Sequence, residues 1–231
     1  MSIVFGLTAS CVARRIIIAS LAVMLVPARL HGQTAEKGAD AAPRWELGAY
    51  LGISRHSPAG WYFGLVPDRS HLFVGLQLTA NLYRTRRWAL AYAPEVVPLL
   101  VVSNNPMTRS VPTRRGGRLR VESGRAPVAG FAISPIGLQA QLRIASRWRT
   151  YAGGAAGVVW FTREVPVVNS RAFNYTFEFG AGVRWSYRPS ESLRFGFKLH
   201  HLSNANTAER NPGLDAAALV IGYERAFGSR R

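Results

Sequence analysis

The stretch Phe173-Asn174-Tyr175-Thr176-Phe177-Glu178-Phe179-Gly180-Ala181-Gly182-Val183-Arg184-Trp185-Ser186-Tyr187 decides the fold. Phe173, Tyr175, Phe177, Phe179, Val183 and Trp185 fall on one face, and Asn174, Thr176, Glu178, Gly180, Gly182, Arg184 and Ser186 on the other. Successive side chains of an extended strand point to opposite faces, so the period of two means a strand. One face is apolar and aromatic; the other holds charges and glycines. A soluble sandwich would show the same alternation, so the choice turns on the rest of the chain.

Outward from this segment the same period recurs. Strands are expected at 45–54, 71–84, 87–102, 129–145, 148–162, 173–187, 192–203 and 215–227. The count is even, and most segments exceed the five or six residues usual in globular strands. They suit a tilted membrane strand of about 9–11 residues with an overhang. Connections alternate in length: 55–70, 103–128, 163–172 and 204–214 are long, while Thr85–Arg86, Ser146–Arg147 and Arg188–Glu191 are short. Outer-membrane barrels join their strands by short periplasmic turns and longer external loops. Trp45, Trp88, Trp148, Trp160, Trp185 and Tyr187 lie near strand ends, where interfacial girdles form. The last strand sets Leu219, Ile221, Tyr223 and Phe227 on one face, resembling the terminal assembly signal of such barrels, with a tail at 228–231 beyond it. The expected fold is all-β: an eight-stranded antiparallel transmembrane β-barrel of the bacterial outer membrane, over residues 44–231.

The 231 residues are 48% hydrophobic, which excludes disorder for most of the chain. The single cysteine, Cys11, excludes a disulfide scaffold and a cysteine zinc site. No apolar run reaches the roughly 18 residues of a helical span. Residues 1–32 read as a secretory signal: Arg14 and Arg15, an apolar core over 16–26, Pro27, then small residues. A polar segment, 33–43, follows. Removing the signal takes Cys11, three arginines and no acidic residue, so the net charge of +17 becomes +14. Export removes nucleic acid as a partner for that charge and points to an anionic, phosphate-rich leaflet. No GxxxxGK[ST], HExxH or CxxC motif occurs, and His56 and His71 lack metal-ligand spacing, so no metal and no cofactor are expected. The oligomeric state stays open, a homodimer being one option.

The chemistry concentrates in the segment Ser192 to Ser203. Leu193, Phe195, Phe197, Leu199, His201 and Ser203 share the lipid side, and Arg194, Gly196, Lys198, His200 and Leu202 share the lumen side. Polar groups on the lipid side near the external rim are costly unless they sit at the interface or act. If 201 lies opposite 215 in the following hairpin, Asp215 joins His201 and Ser203 on one outward patch, with Cβ atoms of opposed residues about 4.5–5.5 Å apart. Hydroxyl, imidazole and carboxylate then form a nucleophile, a base and an orienting acid, as in serine hydrolases. The loop Asn204 to Gly213 supplies amide donors for an oxyanion.

His201-Leu202-Ser203-Asn204 and Asn211-Pro212-Gly213-Leu214-Asp215 resemble the signature of the PagL-type lipid A 3-O-deacylases, with the carboxylate twelve residues after the serine. The resemblance implies an eight-stranded outer-membrane barrel that hydrolyses the acyl ester at position 3 of lipid A, the lipid anchor of lipopolysaccharide. It assigns Ser203 as nucleophile, His201 as general base and Asn211 as an oxyanion donor, with Asn204, Asn206 and Gly213 of the same loop as further oxyanion or substrate-binding residues. Asn206 stands where the family has a glycine, and a backbone donor survives that change. Asp215 stands where the family pattern has Glu; restoring Glu is expected to keep activity, and Ala to lose most of it.

Two other readings remain open: a non-catalytic barrel that binds lipopolysaccharide or stabilises the envelope, and a secreted soluble lipid-binding barrel. Arg109, Arg114, Arg115, Arg118, Arg120 and Arg125 form either a solvated loop or a phosphate-binding one. Glu46, Glu95, Glu178, Arg184, Arg194 and Lys198 read as a paired lumenal network.

Overall fold

The computed structural model describes residues 45–58, 63–104, 107–112, 118–123 and 126–228. The signal and polar segment expected over 1–43 lie outside the described residues. Among the described residues eleven strands run in order: β1 (Trp45–Ser54), β2 (Arg69–Arg84), β3 (Trp88–Tyr92), β4 (Glu95–Asn104), β5 (Met107–Pro112), β6 (Arg118–Ser123), β7 (Val128–Arg143), β8 (Trp148–Val165), β9 (Arg171–Arg188), β10 (Glu191–Ser203) and β11 (Leu214–Phe227). Pairing is antiparallel throughout, and β1 pairs with both β2 and β11, which closes the ring. β3 and β4 share one place between β2 and β7, so the ring has eight positions. A closed ring leaves no unpaired strand edge, the condition for a sheet to cross lipid.

Two departures from the sequence reading have plain causes. The strand expected at 87–102 breaks at Ala93-Pro94, because Pro94 has no N–H to give the ladder. The break stays tied to both neighbours: the Ala93 N–H donates to the Gly137 carbonyl (2.9 Å), and the Leu78 N–H to the Pro94 carbonyl (3.1 Å). The connection expected at 103–128 contains the hairpin β5–β6, in register from Met107↔Ser123 to Pro112↔Arg118. A two-stranded ribbon held by its own backbone bonds needs no apolar face, so hydrophobic period could not reveal it. Arg109, Arg118 and Arg120 fall on this ribbon, whereas Arg114, Arg115 and Arg125 lie outside the described residues.

Along β1, Glu46, Gly48, Tyr50, Gly52 and Ser54 face inward, and Leu47, Ala49, Leu51 and Ile53 face outward. The outward set across the barrel is apolar and bare: Ile136 is 69% exposed, Leu219 67% and Ile221 51%. So large an apolar surface would be an aggregation hazard in water and is the natural surface in lipid. Trp148 and Trp185 stack (6.0 Å), Trp185 meets Tyr187 (5.9 Å) and Trp88 meets Tyr83 (4.8 Å), which forms an aromatic girdle at the short-turn end.

The interior is filled in two zones. Toward the short turns and middle, charges pair. Lys198 Nζ bridges Glu95 (2.6 Å) and Glu178 (2.7 Å). Arg184 bridges Glu46 and Glu224, Arg194 reaches Glu224 and Gln77, and Tyr50 donates to Glu95. The six charges expected in the lumen are all there; Glu224, Tyr50 and Gln77 complete the network. Toward the external loops the interior is apolar, with Phe73, Leu100, Val159, Phe161, Leu202 and Leu214 in one buried cluster. Fully burying a Leu contributes about 1.5–3 kcal/mol. Leu202 and Leu214 are 0% exposed, so this plug anchors the ends of β10 and β11 from within. The outward neighbours of those two leucines make the site.

Candidate active site

Strand parity places His201 and Ser203 on the outward face of β10, since Lys198, His200 and Leu202 are buried inside. His201 pairs with Asp215 across the β10–β11 ladder. The imidazole Nδ1 and the Asp215 Oδ1 are 2.7 Å apart. A carboxylate accepts, so Nδ1 carries the hydrogen and Nε2 is the basic nitrogen, the tautomer that a general base requires.

Asp215 faces outward yet is only 3% exposed. The first external segment covers it. The backbone N–H groups of Phe63 (3.0 Å) and Gly64 (2.8 Å) both donate to Asp215 Oδ2. The Leu65 N–H donates to the Pro212 carbonyl (2.8 Å), which extends the seam. A Cβ on Gly64 would lie 2.7 Å from the Asp215 backbone nitrogen, so only glycine permits this approach. The Phe63 ring meets the His201 ring edge-on at 5.4 Å. The sequence reading missed this segment. A glycine in a long connection is common, and nothing in the local pattern says which strand the loop will cover.

The Ser203 hydroxyl donates to Asn211 Oδ1 (3.0 Å) and accepts from the Ala205 N–H (3.2 Å). The Asn204 N–H also donates to Asn211 Oδ1 (3.0 Å). Because a backbone N–H can only donate, it fixes the orientation of the Asn211 amide: its oxygen faces Ser203 and its NH2 donates to Asn206 Oδ1 (3.1 Å). Asn211 therefore holds the Ser203 hydroxyl, with its donor group turned away from it. Ala205, which the sequence reading did not single out, aims its N–H at the Ser203 hydroxyl oxygen.

Ala205 (φ 53°) and Asn206 (φ 60°) are both left-handed, and the Thr207 N–H donates to the Asn204 carbonyl (3.1 Å), closing a tight turn of I′ character. Asn tolerates this conformation well and Ala poorly. Asn204 is 0% exposed and its amide donates to the Arg210 carbonyl (2.8 Å), so it knots the loop from beneath and does not reach a ligand's surface. Gly213 (φ 64°) lies against the His201 ring, where a Cβ would stand 3.0 Å from Cε1. His200 points inward, 3.6 Å from Glu178. His71, expected beside the first loop, is buried against Phe73. Neither histidine joins the outward patch.

Fold and site together define an integral outer-membrane barrel with a hydroxyl, an imidazole and a carboxylate gathered on its lipid-facing rim. The chain belongs to the lipid A 3-O-deacylase (PagL) family, whose model matches residues 74–224. Among solved structures it is similar to the outer membrane enzyme PagL, at 13% identity, covering 79% of this chain and 99% of that one, with a TM-score of 0.47. It is also similar to Neisserial surface protein A (14% identity, 80% and 99% covered, TM-score 0.49) and to the outer membrane protein OprG from Pseudomonas aeruginosa (11%, 81% and 97%, 0.47). No curated protein matches the sequence.

Proposed function

We propose that this chain hydrolyses the ester-linked acyl chain at the 3-position of lipid A through Ser203, His201 and Asp215. The observation that carries the reading is the 2.7 Å bond between His201 Nδ1 and Asp215 Oδ1 on the outward face, with Ser203 one outward position further along β10. Acyl esters of lipid A lie at the depth of the external rim, so substrate reaches the site sideways within the leaflet.

The proposed steps start from Ser203 bonded to Asn211. The Ser203 hydroxyl turns about χ1 from Asn211 toward His201. Its oxygen attacks the ester carbonyl carbon while Nε2 takes the proton. Asp215 holds the imidazole in place and stabilises the imidazolium. The carbonyl oxygen becomes an oxyanion, and the Ala205 N–H, 3.2 Å from the Ser203 oxygen, is the candidate donor; Asn211 would serve only by turning its NH2 from Asn206. The imidazolium returns the proton to the departing sugar oxygen, breaking the ester bond and leaving an acyl-serine. Water, activated by the same Nε2, releases the fatty acid and restores Ser203. The signal at 1–32 and the pairing of loop arginines with lipid A phosphates belong to the same proposal.

The test is mass spectrometry of lipid A from cells producing the wild type or Ser203→Ala, with heat-dependent gel mobility as the check on barrel folding. The expected result is loss of one 3-linked acyl chain with the wild type and none with the variant. Unchanged lipid A with folded wild-type protein, or equal deacylation by Ser203→Ala, would overturn the reading.

A further inference from the structure

A second feature lies beside the catalytic loop, on its β9 side. The segment between β8 and β9 and the catalytic loop flank a shallow, open hollow of about 610 Å³ at the external rim. Its wall on the barrel is Trp160 and Phe173, cross-strand partners on β8 and β9, whose rings meet edge-on at 4.6 Å. Trp160 is 61% exposed. Glu164, Asn169, Arg171 and Glu209 also line the hollow.

The hollow is built. Asn169 is left-handed (φ 64°), its N–H donates to Glu164 Oε2 (3.0 Å) and its side-chain NH2 to Glu209 Oε2 (3.0 Å). Arg171 Nε donates to the Thr207 carbonyl (2.6 Å), the Arg210 N–H to the Asn169 carbonyl (3.2 Å), and the Ser170 hydroxyl to the Arg210 carbonyl (3.1 Å). These bonds staple the 166–171 segment to the loop that positions Ser203. In each of Glu164 and Glu209 the second oxygen, Oε1, takes no donor among the described residues. The rings continue toward the nucleophile: Phe173 meets Tyr175 at 5.4 Å, and Tyr175 is the cross-strand partner of Ser203.

An exposed indole and two carboxylates with an oxygen to spare suit one ligand chemistry. A pyranose ring presents C–H groups to an aromatic face and hydroxyl donors at its edge, and a carboxylate accepts O–H strongly. A phosphate would meet two carboxylates against the single guanidinium of Arg171, whose Nε is already held by the Thr207 carbonyl, and is disfavoured. We infer that the Trp160–Phe173 hollow binds a sugar ring of the saccharide backbone of lipid A, stacking it on Trp160 with its hydroxyls donated to Glu164 and Glu209. The inference rests on the proposed action on lipid A, and it assigns to this hollow a sugar unit of that backbone neighbouring the one from which the acyl chain leaves, since Trp160 lies two strands from Ser203. Simple membrane anchoring by Trp160 would explain the indole but not the stapled carboxylates.

The test measures binding, not turnover. Fully deacylated lipid A, the phosphorylated glucosamine disaccharide, is titrated by calorimetry into the full-length barrel in detergent, in a Ser203→Ala background. Saturable binding is expected, weakened about tenfold by Trp160→Ala and by Glu209→Gln, the scale of one lost stacked ring or charge-assisted bond. Trp88→Ala, which alters an exposed indole at the opposite rim, should bind as the parent does. The unphosphorylated disaccharide should also bind, and inorganic phosphate should not compete. Equal binding by Trp160→Ala, or competition by phosphate alone, would overturn the inference while leaving the esterase standing. Deacylation by Ser203→Ala would sink the esterase, and the titration would still decide the sugar site.

Discussion

Asp215→Asn separates catalysis from folding at this site. The Asp215 carboxylate accepts three hydrogen bonds: Oδ1 from His201 Nδ1 at 2.7 Å, and Oδ2 from the backbone of Phe63 at 3.0 Å and Gly64 at 2.8 Å. An asparagine has one acceptor oxygen and one donor group. The two backbone N–H groups are obligatory donors, so the carboxamide oxygen must face them. The opposite flip would aim NH2 at two buried donors, at a cost of about 1–3 kcal/mol for each unsatisfied group. The NH2 then faces His201 Nδ1, which must accept. The imidazole hydrogen moves to Nε2, and the base loses its lone pair toward Ser203. In the template triad this tautomer change lowers kcat by about 10⁴, or about 5.5 kcal/mol of barrel-bound transition-state stabilisation. The loop contacts survive, so the melting temperature should stay within a few degrees. Asp215→Ala should show the same loss of turnover and a lower melting temperature, because it strands both loop donors. The assay is the time course of fatty acid release from lipid A by purified protein in detergent, read by mass spectrometry, with thermal unfolding in parallel. An Asn variant within tenfold of the wild type would refute the role of Asp215.

Asp215→Glu should remain active at reduced rate and stability, since the extra methylene must push the Phe63–Gly64 segment outward from a site only 3% exposed; overpacking of this kind costs about 1–3 kcal/mol, and thermal unfolding alongside the same release assay measures it. Gly64→Ala places a Cβ 2.7 Å from the Asp215 nitrogen and 2.9 Å from the Leu214 carbonyl carbon, all backbone; the loop must lift off Asp215, and turnover should fall by about tenfold or more, as expected for losing a hydrogen bond to a charged group. An unchanged rate there would mean that the loop does not hold the carboxylate. Lys198→Met leaves Glu95 and Glu178 buried without their cation; breaking such a pair costs about 3–5 kcal/mol, which a drop in the urea midpoint should show, and adding Glu95→Gln should restore part of it.

The period of two made the barrel legible. Phe173, Tyr175, Phe177 and Phe179 alternate with Asn174, Thr176 and Glu178 because a closed membrane sheet has apolar solvent on one side and a packed polar lumen on the other. The same parity put His201, Ser203 and Asp215 on one face, and hairpin pairing of 201 with 215 then needed only a loop short enough to return directly. Strand 87–102 was legible as a membrane crossing, though its break at Pro94 and the β5–β6 ribbon were not, since neither carries an apolar period.

What the chain by itself determined is therefore the side of the wall on which each residue lies, a consequence of local backbone geometry. What only the tertiary structure decided is which distant segments meet outside the wall. Gly64 covers Asp215 from 151 positions away, Asn211 turns its oxygen to Ser203 because the Asn204 N–H leaves no alternative, and Glu209 reaches across to Asn169 to complete the hollow beside the site. Loops have no period; their positions follow from hydrogen bonds to partners that are remote in sequence and become neighbours only when the ring closes.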